Sequence, residues 1–301
     1  MHPAASMIVF TTLSGLGYGL AVALGFGFLD PSLPATGLAH LISLGLVGAG
    51  LLASLFHLRN PQRAWRALSQ WRSSWLSREG VMAIATFVPL TLGAGLAILA
   101  GRQEALLGLI AVLGALTTVY CTSMIYASLR TVDAWHTALT PLCFLLISLA
   151  GGFLLASCLA GETALVVELL ALLFLLSALV AKMVWRTKAR TRMPISTPES
   201  ATGLGAIGTV RLLERPHALD NYLTREMGFR VARKHAAKLW VVALACGAIL
   251  PILSLLAAMA SGAGAFAQSV LVIGVVAHAA GVLVERWLFF AEARHAVMNY
   301  Y

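Results

Sequence analysis

Charged side chains are scarce in this chain: 21 lysines and arginines and 12 acids make up 11% of 301 residues, against 59% hydrophobic. A soluble domain carries about 25% charge, so a water-facing globule is excluded, and the mean hydropathy of +0.87 agrees. Cysteine is sparse as well. Cys121, Cys143, Cys158 and Cys246 stand singly in apolar segments without CxxC spacing, which argues against a disulfide framework, a zinc site or an iron–sulfur cluster in this chain. They read as small buried hydrophobes. Two further absences matter. Without period-2 alternation the chain is no transmembrane barrel. Without a basic n-region behind Met1, and with an apolar stretch too long for an h-region, the N-terminal segment reads as a first span rather than a cleavable signal.

What is present is a series of long apolar blocks. A helix needs about 20 apolar residues to cross the hydrocarbon layer, and eight spans fit, near 5–29, 36–58, 80–100, 105–129, 136–160, 162–185, 238–260 and 267–292. The expected fold is an all-α integral membrane protein, an eight-transmembrane-helix bundle forming a single polytopic domain over 1–301. An even number of crossings puts both termini on one side.

Basic residues set the orientation, because Lys- and Arg-rich loops stay cytoplasmic. The side of the termini receives Arg59, Arg63, Arg66, Arg72 and Arg78, then Arg130, the series from Lys182 to Lys238, and Arg286 and Arg294; Arg102 stands opposite. Both termini are therefore expected in the cytoplasm. Because the formal charge of +9 lies in loops between spans, it marks topology rather than a nucleic-acid surface. The cytoplasmic loops, about 59–79 and 186–237, are long enough for a partner to dock. Trp65, Trp71 and Trp75 in the first are interfacial anchors or a partner hot spot. The second, with Pro194, Pro198 and Pro216, should be mostly irregular with a short amphipathic helix near Leu223 to Ala237. Gly203, Gly205 and Gly208 match GxGxxG, but a dinucleotide site needs a strand–turn–helix inside a parallel sheet, for which this loop has no room. No internal repeat stands out.

The second span ends at Phe56-His57-Leu58 and the third begins after Ser77-Arg78-Glu79-Gly80. A hairpin returns the chain to the depth it left, so His57 and Glu79 should lie at similar levels at the cytoplasmic boundary. Quinone chemistry moves two electrons and two protons, and it needs hydrogen-bond donors at the ring oxygens and a titratable relay open to water. An imidazole and a carboxylate supply both. The plainer alternative is that both contact water or lipid headgroups. Tyr126, Ser128, Arg130, Trp135, His136, Glu285 and Arg286 reach the same level. Arg286 needs an anionic partner, from Glu285, Glu292 or a neighbouring helix, and Lys182 is expected to snorkel to the headgroups. His278, near the middle of the last span, lacks a second histidine at matching depth for bis-His haem ligation, which leaves a hydrogen-bonded interior histidine.

The run His57-Leu58-Arg59-Asn60-Pro61-Gln62-Arg63-Ala64, followed by Leu76-Ser77-Arg78-Glu79, resembles the HLxxPxRA…LSxE signature of the membrane anchor subunits of dimethyl sulfoxide reductase-type molybdoenzymes. Tyr126-Ala127-Ser128 with Thr140-Pro141, and Arg286 with Phe289, add to the likeness, which covers nearly the whole chain. The resemblance implies a bacterial inner-membrane complex. In it a molybdopterin catalytic subunit does the substrate chemistry, a four-cluster iron–sulfur subunit with [4Fe-4S] clusters conducts electrons, and the anchor exchanges them with ubiquinone or menaquinone. It implies His57 and Glu79 as the quinone-site pair, with Arg63, Arg78 and Tyr126 orienting the headgroup or contacting the partner. No metal is expected in this chain. The segments Trp65 to Trp75 and Glu285 to Ala293 look more like the anchor of cytoplasmic sulfite-oxidising complexes, which pass electrons from sulfite to quinone. The alternatives are a quinol-oxidising anchor of a dimethyl sulfoxide, S- or N-oxide or polysulfide reductase, and a passive anchor without a quinone site.

Overall fold

The computed structural model describes residues 4–56, 58, 60–160, 164–191, 194, 196–211, 213–214, 231–262 and 264–300, the side chains of 231–234 excepted. Eight helices among them are long and apolar enough to cross a membrane. They are α1 (Ala5–Gly25), α2 (Pro34–Leu55), α3 (Trp75–Ala100), α4 (Ala105–Ala127), α5 (Leu139–Ser157) and α6 (Ala164–Thr191), then α7, with its span His235–Ser261, and α8 (Ala265–Ala291). The all-α membrane architecture expected from the sequence is the one observed; the described residues hold no strand, only an isolated bridge between Val132 and His295.

Most of α1 is buried, whereas the other helices leave a broader face for lipid. It packs against α2, α4, α5 and α8 and forms the spine of the bundle. Apolar helices in lipid gain little from burial, so close backbone packing through small residues holds them together. A Cβ on Gly19 or on Gly152 would run into the facing backbone of α5 or α1, so α1 and α5 touch main chain to main chain.

Hydrogen bonds between connections identify the two ends of the bundle. At one end the Ala296 N–H donates to Thr131 O at 2.7 Å, and Asn299 Nδ2 donates to Ser196 O at 2.9 Å. This gathers the α4–α5 connection, the α6–α7 loop and the C-terminal segment. At the other end Gln103 Nε2 donates to Leu24 O and Gly25 O, and Gln268 Nε2 donates to Cys158 O at 2.5 Å. The α2–α3 loop opens on the first of these ends, since Glu79 at the start of α3 meets Thr122 near the end of α4, so the basic loops share one face, called here the basic face.

Several boundaries differ from the sequence expectation. Helix α3 starts at Trp75, not near 80, because the Ser74 hydroxyl caps it by accepting from the Ser77 N–H; Gly101, in the left-handed conformation at φ 56°, ends it. Helix α6 runs on to Thr191, beyond the expected 185: Arg186, the first residue of the added turns, is buried and paired with Glu292 at the end of α8. The expected amphipathic helix near 223–237 and the seventh span are one continuous helix over their described part, Val231–Leu244, a π-helical turn Ala245–Ile249 and Leu250–Ser261; residues 223–230 lie outside the described residues. Between α2 and α3, Pro61–Gln70 forms a 3-10 helix. In the α6–α7 loop Gly203 adopts a left-handed φ of 71° and ends a one-turn helix, Pro198–Thr202, so its glycine motif is a helix stop.

Candidate functional site

Glu79 is the fifth residue of α3 and is only 5% exposed. The earlier helix start turns it inward, toward α4, where the Thr122 hydroxyl donates to its Oε1. The Thr122 hydroxyl also lies 3.1 Å from Thr118 O, and the Thr118 hydroxyl lies 3.2 Å from that of Thr86 on α3. A ladder of hydroxyls thus lines the α3–α4 seam inward from Glu79. The carboxylate is near enough to Tyr18 on α1 and to Cys121 and Tyr126 on α4 to act on each electrostatically. The sequence reading missed Thr122 and Tyr18. Thr118 and Thr122, four apart in the polar half of α4, were the available signal, since such a pair shares one helix face.

The remaining candidates divide. His57 and Arg59 lie outside the described residues; beside them Phe56, 84% exposed, closes α2. Arg63 is exposed on the 3-10 helix. Arg78 fastens the loop: its Nε donates to Trp71 O at 3.0 Å, its Nη2 to Arg72 O at 2.6 Å, and its guanidinium lies 4.3 Å from the Trp75 ring centre. Tyr126 is buried among Trp135, Phe144, Phe289 and Phe290, with ring centres 5.3 to 5.8 Å away. Its hydroxyl has no hydrogen-bond partner among the described residues, and both Glu79 and Arg286 act on it electrostatically. Ser128 and Arg130 are exposed. Trp135 stacks on Phe289 and donates to its carbonyl at 3.0 Å.

A second polar cluster lies between α6 and α8. Lys182 is buried and pairs with Glu285. This corrects the expected snorkelling: with a carboxylate facing it, the ammonium gains more by pairing than by stretching to the headgroups. Arg286 takes its anion from the same Glu285, at 3.4 Å, and lies 3.6 Å from the centre of the Phe144 ring. Arg186 holds Glu292 through two hydrogen bonds of 2.9 and 3.0 Å. His278 is a hydrogen-bonded interior histidine, its Nδ1 2.7 Å from Gly247 O. Among the described residues no group of three or more His, Cys, Asp or Glu side chains is arranged to hold a metal ion.

The sequence is similar to known proteins along its whole length. It is 34% identical over 334 aligned positions to the sulfite dehydrogenase C-subunit of Allochromatium vinosum, spanning all of this chain and 99% of that protein. It is 32% identical over 158 positions to the C-subunit of the anaerobic dimethyl sulfoxide reductase of Escherichia coli K12, spanning 50% of this chain and 55% of that protein. A family profile described as DMSO reductase anchor subunit (DmsC) matches residues 1–291. With eight membrane-length helices and a match over nearly every residue, the chain belongs to the DmsC family of DMSO reductase anchor subunits.

Proposed function

We propose that this chain is the quinone-reactive anchor of a sulfite-oxidising molybdenum and iron–sulfur complex in the bacterial inner membrane, with its basic face and both termini in the cytoplasm. The observation that carries the reading is the similarity to the sulfite dehydrogenase C-subunit, which extends over both proteins nearly end to end. On this reading a molybdopterin subunit and a four-cluster iron–sulfur subunit dock on the basic face. Sulfite and water give sulfate, two protons and two electrons; the quinone takes up two electrons and two protons and leaves as quinol.

In this chain Glu79 would pass protons to the quinone ring and His57 would hydrogen-bond a ring oxygen. The support for Glu79 is its place: a buried carboxylate in the second turn of α3, next to the basic face, oriented by Thr122. Ionisable groups inside a span are costly and tend to be kept for function. Arg63 would face the partner or the headgroup; Arg78 would shape the loop over the site. Glu79→Gln in the intact complex should abolish sulfite-to-quinone turnover and leave sulfite-to-dye turnover unchanged. Undiminished quinone reduction would rule out the relay and favour a passive anchor. The partial likeness to the dimethyl sulfoxide reductase protein favours a second reading, with quinol oxidised to reduce an S-oxide; assaying the complex with sulfite and then with dimethyl sulfoxide separates the two.

A further inference from the structure

A small cavity lies between α5, α6, α7 and α8, away from Glu79, and holds polar groups with no part in the quinone reading. Its wall is mostly apolar, and its polar groups are Lys182 and Glu285 at one end and His278 at the other, with Trp240 on α7 beside them. All three ionisable side chains are more than nine-tenths buried. The open volume is about 50 Å³. That is too small for a redox ring, for which pockets run to several hundred Å³, but it has room for about three waters.

The fold makes this space by local irregularity. Pro251 has no N–H to give to the carbonyl four residues back, Gly247 O, and the turn Ala245–Ile249 is π-helical. Gly247 O accepts from His278 Nδ1 instead. A carbonyl can only accept, so Nδ1 carries the proton and Nε2 of the neutral ring is a free acceptor. Among the described residues Nε2 has no hydrogen-bond partner, and the Ile147 backbone lies close to the ring. Gly151 leaves the room, since a Cβ there would lie 2.9 Å from Nε2.

His278 and Glu285 are seven residues apart on one stripe of α8, about 10 Å along the axis, and three waters at about 2.8 Å spacing cover most of that gap. Seven residues further on is Glu292, bound to Arg186 and 3.9 Å from Arg190, whose side chain is 61% exposed. On α6, Lys182, Arg186 and Arg190 follow at four-residue steps. Charged groups thus run at two-turn intervals from an exposed arginine on the basic face to mid-span. The other groups near this route are Arg286 on α8 and the Cys143 thiol on α5; the α7 residues lining it contribute no acid or base.

We propose that the α6–α8 seam is a hydrated proton inlet from the basic face, gated by the Lys182–Glu285 pair and ending at Nε2 of His278. The step is reversible proton transfer from hydronium: one O–H bond breaks as one N–H bond forms at Nε2, a water is left behind, and no electron moves. The inlet is a half-channel, because Leu16 closes in beside the ring at Gly151. It is independent of the quinone reading, since neither Glu79 nor His57 belongs to it.

The test uses the full chain in liposomes with ¹⁵N-labelled histidine rings, the His278 signal being assigned by its loss in His278→Gln. The expected native result is a neutral ring protonated at Nδ1 that gains a second proton within seconds of acidifying the bath. Ala178→Leu, which fills the cavity from α6, should slow that response at least tenfold without changing the tautomer. A ring protonated at Nε2 when neutral, a native signal unresponsive for hours, or an equally fast response in Ala178→Leu would each overturn the proposal. The native protein decides the first two outcomes even if the variant does not fold.

Discussion

Replacing Glu285 by glutamine removes the one anion between two buried cations. Lys182 and Arg286 both take their charge compensation from this carboxylate, and the side chains of all three are at most 8% exposed. Breaking a buried pair leaves an uncompensated charge and costs about 3–5 kcal/mol; here two cations are stranded, so Glu285→Gln belongs at the upper end. Lys182→Met is milder. Glu285 keeps Arg286 at 3.4 Å; the loss is one charge-assisted contact, about 2 kcal/mol, together with the ammonium's contact with the Trp185 ring, 3.6 Å from its centre, which the methionine replaces by a sulfur–aromatic contact. In the double variant Arg286 retains the face of Phe144 at 3.6 Å, a contact worth about 2 kcal/mol when desolvated, so the double should cost less than the two singles added. The assay is reversible unfolding of the full chain in detergent micelles, followed by fluorescence of its seven tryptophans. Glu285→Gln within about 0.5 kcal/mol of the native protein, or Lys182→Met the more damaging of the two, would refute the reasoning.

Three other outcomes follow from the same contacts. Thr122→Val should lower sulfite-to-quinone turnover about tenfold, the equivalent of 1.4 kcal/mol, while Thr122→Ser retains it; steady-state assays of the complex check this, and equal loss in both variants would deny the hydroxyl its role. Gly152→Val should destabilise by about 3 kcal/mol or more, because α1 and α5 must separate to admit the side chain, and micelle unfolding reads the change. Arg78→Ala should speed tryptic cleavage after Arg66 and Arg72, since its guanidinium ties the carbonyls of Trp71 and Arg72 to α3; an unchanged digestion rate would contradict that.

The eight spans were legible because crossing hydrocarbon demands a length and an apolar composition that few other segments meet. Their sharing of a basic face was legible from the arginines, and the bonds from Ala296 to Thr131 and from Asn299 to Ser196 agree with it. Pairing across helices was not legible. Lys182 reads as a snorkelling lysine until Glu285 is seen opposite, because periodicity along one helix carries no information about the rotation of the next. The same limit hid Thr122, the hydrogen-bond partner of Glu79, and the start of α3 was misplaced because Ser74-Trp75-Leu76 looks like loop until the cap is recognised. The interior histidine was anticipated at His278; that Pro251 and a π turn supply its partner was not.

The central claim is that the quinone ring is received beside Glu79, where α3 begins, and photolabelling tests it most directly. The intact complex is irradiated with a photoreactive quinone under turnover and the label is mapped by mass spectrometry. The account predicts label on the segment from Phe56 to Gly80 and on α4 near Thr122, diminished by excess native quinone. Label confined to α6, α7 and α8, or none that native quinone displaces, would contradict it.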